Sequence, residues 1–197
     1  MDALVPVSLL DELLEAVAAA VHDHPMQSLV AGKLLLETGI DPSLRDELVD
    51  RGLESLAEAG SRVRQLMWAL SGPSIRLTHI AVDTADAVSH LADLQVSVAD
   101  DLDPEAAQAV VHALQAVLAD ALYGRSTILR LTINGDAEAV HAVLDCEGPR
   151  GTGGGERPEG PWLRLARARL AQAGGDMRRC IEAGMQRSHL TVPVAED

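Results

Sequence analysis

Apolar side chains recur every three or four residues through the first 70 positions of this chain, in two runs that a polar turn separates. Steps that alternate between four and three are the period of helices packed in bundles or coiled coils. The pattern predicts one helix over residues 8–38 and a second that ends near residue 70. The first stripe comprises Leu10, Leu14, Val17, Val21, His24, Ser28, Ala31 and Leu35, and the second Val49, Leu53, Leu56, Gly60, Val63, Met67 and Leu70.

Two helices with a short connection form an antiparallel hairpin, which cannot enclose its own apolar stripe. Pairing of two hairpins into a four-helix bundle would bury it, so we expect a homodimer. Ser71-Gly72-Pro73 ends the hairpin, and residues 1–72 are predicted to form a dimerisation domain.

The remaining residues, 73–197, carry a mixed pattern that predicts a second domain. Helices and antiparallel strands in this order are typical of a two-layer α/β sandwich, so the whole chain is assigned to the α+β class. Predicted helices cover residues 83–92, 103–122 and 162–173, and predicted strands cover 94–99, 127–134, 138–146, 176–182 and 188–194. A glycine-rich loop is predicted over 147–161.

The charge balance excludes several partners. A formal net charge of −14 repels nucleic acid, and no basic stripe with interleaved aromatics is present. No apolar run reaches the length of a membrane span, and the N-terminus lacks the pattern of a signal peptide. The two cysteines, Cys146 and Cys180, form no CxxC motif and indicate a reducing compartment. We therefore expect a cytoplasmic protein without membrane insertion.

Candidate chemistry is concentrated at His22. Asp23 follows directly and can orient the imidazole or take its proton, and Gln27 lies about 7.5 Å further along a helix axis. His22 is one position off the apolar stripe, at the flank of the predicted bundle. Pro25 is expected to kink the helix there. The alternative is a solvated histidine beside a carboxylate, with no catalytic role.

The run His22-Asp23-x-x-x-Gln27-Ser28-Leu29 resembles the phosphoacceptor helix of bacterial sensor histidine kinases of the NarL-partner class. The resemblance implies that His22 takes a phosphoryl group, that Asp23 acts as the base, and that Gln27 assists dephosphorylation of a response regulator. It also implies a dimeric four-helix bundle followed by an ATP-binding domain of GHKL (Bergerat) type.

The nucleotide motifs of that family are altered in this chain. Residues 115–122 resemble the N box, with Ala116 in place of a catalytic Glu and Asp120 in place of the Asn that binds Mg²⁺. The next box aligns on Gly148, which puts Cys146 at the position of the adenine-binding Asp; Asp145 fits only with a one-residue shift. A thiol is a poor acceptor for an adenine amino group. Asp120, Asp145 and Gly148 are thus the candidate contacts of a degenerate ATP site, with Asp120 as the Mg²⁺ ligand.

Three functions remain open from sequence. The first is a two-component signalling protein in which His22 exchanges phosphate with the receiver domain of a response regulator, without a cofactor of its own. The second is an autokinase that still uses ATP and Mg²⁺. The third is a non-catalytic dimeric scaffold that binds a regulator.

Overall fold

The computed structural model describes residues 7–21, 25–37, 45–70, 91–123, 126, 128–147, 159–182 and 184–195. Three helices, α1 (Val7–Val21), α2 (Gln27–Glu37) and α3 (Arg45–Leu70), precede five strands and two further helices. These are β1 (Asp93–Val98), α4 (Pro104–Tyr123), β2 (Ile128–Gly135), β3 (Ala139–Glu147), α5 (Pro161–Gln172), β4 (Asp176–Glu182) and β5 (Met185–Pro193). The predicted α+β class is confirmed. The predicted helix over 83–92 lies almost wholly outside the described residues.

The strands form one mixed sheet in the order β1-β2-β3-β5-β4. β1 is parallel to β2, and the other three pairings are antiparallel. α4 and α5 pack against each other and both contact the sheet, so they form the second layer of a two-layer sandwich. Successive side chains of a strand point to opposite faces, and every second residue therefore faces these helices. On β2 and β3 these are Leu129, Leu131, Ile133, Val140, Ala142, Leu144 and Cys146, all buried.

Short-range signals set several boundaries as predicted. The Asp103 carboxylate accepts a hydrogen bond from the Ala106 N–H at 2.8 Å and caps α4. Asp136 accepts bonds from the backbone N–H groups of Glu138 and Ala139, which closes the β2–β3 hairpin. Gly174, with φ of +70°, ends α5 in a left-handed conformation that favours glycine.

The first predicted helix is divided. α1 ends at Val21, a π-helical turn occupies Pro25 and Met26, and α2 begins at Gln27. Proline lacks the N–H that an α-helical turn would use, which explains why the helical geometry changes here. Residues 22–24 lie outside the described part.

The hairpin carries a second apolar stripe, beside the predicted one. Leu9, Leu13, Ala20, Leu66 and Ala69 are buried and belong to the same core cluster as the residues of α4 and α5. Large residues of the predicted stripe are exposed within one chain, namely Leu10, Leu14, Val21, Leu53, Val63, Met67 and Leu70. The pairing partner of this exposed stripe stays a prediction.

Among the described residues, α4 alone has the length and apolar character of a membrane span. Of its most apolar window, 72% is buried inside the protein, as in the central helix of a sandwich.

Candidate functional site

The first candidate site lies where α1 ends and α2 begins. Gln27 is the first residue of α2 and is exposed. His22 and Asp23 lie outside the described residues, directly after Val21. The π-helical turn and α2 expose a set of large apolar side chains, which we name the α2 patch: Met26, Leu29, Val30 and Leu34. Lys33, the one lysine of the chain, is also exposed on α2.

The second candidate site lies at the C-terminal end of α4, where the sequence predicted a nucleotide pocket. Asp120 forms an ion pair with Arg179 of β4, with 3.6 Å between Oδ2 and Nη2. Gly160, just before α5, also approaches this carboxylate, because an added Cβ would lie 3.5 Å from Asp120 Oδ1. The candidate Mg²⁺ ligand thus already faces a cation from its own chain.

Upstream of Asp120, the N-box-like segment belongs to the core. Ala116, at the position where the related motif has Glu, is fully buried, and so is Gln115. A carboxylate at residue 116 would lose its hydration in this packing, at a large cost in free energy. Asp120 is therefore the member of the segment that can reach a ligand.

Asp145 and Cys146 point to opposite faces of the sheet. Cys146 is on the helix-facing side with Leu144 two positions before it, whereas Asp145 faces away from α4 and α5. On that outer face Arg187 donates two hydrogen bonds to the Asp145 carboxylate, at 2.6 and 3.0 Å. These hydrogen bonds lower the pKa of Asp145. The structure therefore does not bring Asp145 together with Asp120.

Cys146 is the residue that takes the inward position. Its thiol donates to the Gln186 carbonyl at 3.5 Å, and burial raises its pKa, so it is a neutral donor. An adenine amino group needs an acceptor. Gly148 lies outside the described residues.

An aromatic pair joins the end of α4 to the start of α5. The rings of Tyr123 and Trp162 stack in parallel with centroids 5.9 Å apart, and Trp162 is buried. Burial raises the pKa of Tyr123 to about 12. Next to Trp162, Pro161 supplies no N–H to an anion at the start of the helix.

The sequence analysis did not find two contacts of these candidate sites, that of Arg179 with Asp120 and that of Arg187 with Asp145. The sequence did offer one signal, since half of the basic residues lie between Arg150 and Arg187. That enrichment marks where cations lie along the chain but not which carboxylates they reach, because the pairings depend on strand register. Among the described residues, no group of three or more His, Cys, Asp or Glu side chains could hold a metal ion.

The fold has known counterparts. No family model matches the chain. No curated protein matches it in sequence. Its structure is similar to that of a bacterial phosphotransferase, with a TM-score of 0.64 and 14% identity over 96% of this chain and 98% of the other. That likeness establishes the fold.

Two histidine kinases are also similar in structure. The Acinetobacter baumannii kinase AdeS has a TM-score of 0.47 and 12% identity over 87% of this chain and 96% of its own. The Erythrobacter litoralis blue-light-activated kinase EL346 has a TM-score of 0.48 and 14% identity over 88% of this chain and 59% of its own.

The pairing of Asp145 with Arg187 predicts a pH-dependent contribution to stability. Because the folded pKa of Asp145 is lowered, this contribution is full above the unfolded carboxyl pKa of about 4 and is lost as the pH falls through the lower folded value. Asp145→Asn should reduce the free energy of unfolding at neutral pH by about 1–3 kcal/mol. The deficit should shrink with acidification below about pH 4.

Urea unfolding followed by circular dichroism at several pH values measures this difference. Asp93→Asn, which removes an exposed carboxylate of β1, is the matched control and should change stability little. A deficit for Asp145→Asn that stays constant down to acid pH would contradict the role given to the ion pair.

Proposed function

We propose that this chain is a cytoplasmic, dimeric two-component signalling protein in which His22 exchanges a phosphoryl group with the receiver domain of a response regulator. In this proposal the chain uses no ATP of its own. The solved structure similar over nearly the full length of both chains is described as a bacterial phosphotransferase, which supports this reading over that of an autokinase.

The observation that carries the proposal is the Asp120–Arg179 ion pair. Mg²⁺ selects oxygen ligands, and to bind here it would have to displace a guanidinium from the carboxylate. The adenine side is also unsuitable, because Cys146 donates to a carbonyl and Asp145 faces away. The ion pair at Asp120, the donor thiol of Cys146 and the outward orientation of Asp145 each weaken nucleotide binding independently of the others.

The chemistry proposed for His22 is reversible transfer. An imidazole nitrogen attacks the phosphorus of an aspartyl phosphate; the N–P bond forms, the Asp O–P bond breaks, and the receiver carboxylate leaves. Asp23 takes the ring proton or orients the ring. In the hydrolytic alternative, Gln27 positions a water against the aspartyl phosphate. The exposure of Gln27 on the first turn of α2 supports this role.

The α2 patch suits the docking of a receiver domain. Four large apolar side chains between residues 26 and 34 offer area for burial, and Lys33 adds a positive charge beside them. A cation near a docking surface favours encounter with a negatively charged partner surface.

Phosphotransfer is tested with a phosphorylated receiver domain. Wild-type chain should acquire an acid-labile, base-stable phosphoryl group, and His22→Ala should acquire none. His24→Ala, two residues further along the sequence, is the matched control and should retain the label. If His22→Ala matches wild type in both labelling and receiver dephosphorylation, the scaffold function is favoured instead.

Nucleotide binding separates the proposal from an autokinase. Calorimetric titration with ATP and Mg²⁺ should give no binding tighter than about 1 mM. Arg179→Ala, which removes the guanidinium from Asp120, is the variant in which any Mg²⁺-dependent binding should first appear. Micromolar, Mg²⁺-dependent binding by the wild-type chain would defeat the proposal in its present form.

Dimerisation through the exposed stripe is tested by charge substitution. Leu14 is 59% and Met67 68% exposed in one chain, and a four-helix bundle would bury both. Leu14→Asp combined with Met67→Asp should raise the dimer dissociation constant by about a hundredfold or more, as measured by light scattering over a dilution series. Ile181→Asp, at a residue 58% exposed on β4, is the control that should leave the dimer intact. A dimer unaffected by the double substitution would place the interface elsewhere.

A further inference from the structure

One half-buried cation connects three helices that belong to the two predicted domains. Arg169 of α5 donates through Nη1 to the His112 carbonyl of α4 at 2.7 Å and through Nη2 to the Ala69 carbonyl of α3 at 2.9 Å. Ala69 is in the last turn of α3, where carbonyls have no partner within their own helix. Arg169, a residue of the sandwich, thus donates a hydrogen bond to a carbonyl at the C-terminal end of the hairpin.

The charge states support this arrangement at neutral pH. Burial lowers the pKa of Arg169 to about 10, so the guanidinium stays charged. Burial, and secondly the charge of Arg169, lower the pKa of His112 to about 4, so the imidazole stays neutral. A cation near the C-terminal end of α3 also interacts favourably with the helix dipole.

Other contacts also hold the hairpin against the sandwich. Arg164, more than one turn before Arg169 on α5, forms an ion pair with Glu12 of α1. Leu9 and Leu13 of α1, with Leu66 of α3, are buried in the core cluster that contains the residues of α4 and α5. Apolar packing, an ion pair and a helix-end contact therefore all join the hairpin to the sandwich.

We propose that Arg169 fastens the helical hairpin to the sandwich, so that the chain behaves as one rigid body and not as two domains that move relative to each other. An enzyme that phosphorylates its own histidine must carry its bound nucleotide to within about 3–3.5 Å of that residue. A fastened sandwich makes no such movement. This last step rests on the proposed function: a phosphoryl group on His22 would then be supplied by a separate molecule.

The test measures coupling without reference to phosphate, so its outcome does not depend on the proposed function. In scanning calorimetry the wild-type chain should unfold in one cooperative transition. Arg169→Met, similar in length but without donors, should divide this transition or lower its midpoint by about 5–10 °C. Hydrogen exchange of residues 66–70 should accelerate by about tenfold or more, because the end of α3, no longer held by Arg169, opens more often.

Arg178→Met is the matched control, because the Arg178 side chain is 88% exposed on β4; its midpoint and exchange rates should stay near wild type. If Arg169→Met does not fold, Arg164→Gln should still accelerate exchange in α1, to a smaller extent. Two resolved transitions in the wild-type chain would overturn the proposal. So would an Arg169→Met variant with the exchange rates of the Arg178→Met control.

Discussion

The burial of α4 is the constraint on which the rest of this structure depends. Thirteen of its 20 residues are buried, because α3, α5 and the sheet contact it from different sides. The chain has no phenylalanine and α4 is rich in alanine, so neighbouring helices can approach closely around it. The same burial removes Ala116 and Gln115 from any role toward a ligand. The packing that gives α4 its place in the core thus also keeps residues 115 and 116 away from solvent.

The two carboxylates of the segments that resemble nucleotide motifs, Asp120 and Asp145, form ion pairs with arginines of the last two strands. Asp120 pairs with Arg179 on the helix-facing side of the sheet, and Asp145 pairs with Arg187 on the outer side. A carboxylate without a cation would repel triphosphate and be costly to desolvate. Internal pairing removes that cost, and each of the two carboxylates is compensated by a cation of its own chain.

Most of the fold was predictable because its signals are local. Asp103-Pro104, Gly135-Asp136 and Gly174-Gly175 set element ends through backbone geometry and capping, which neighbouring residues determine. The ion pairs were not predictable, because Arg179 and Asp120 meet only after strand register and helix packing are fixed. The alignment on Gly148 put Cys146 at the position of the adenine-binding residue. The hydrogen bond from its thiol to the Gln186 carbonyl depends on strand pairing and could not be predicted. His22 and Asp23 stay predictions, since they lie outside the described residues.

The hairpin illustrates how one helix serves two surfaces. The spacing of Leu10 and Leu14 predicted one stripe, but Leu9 and Leu13 form a second stripe one residue earlier, rotated by about 100° around the helix. The second stripe is buried against the sandwich, while the first is exposed within the chain. A helix that buried only one stripe could leave the sandwich free to move. A helix with both commits one face to its own chain and leaves the other exposed, so the proposed dimerisation and the attachment of the sandwich do not compete for the same residues.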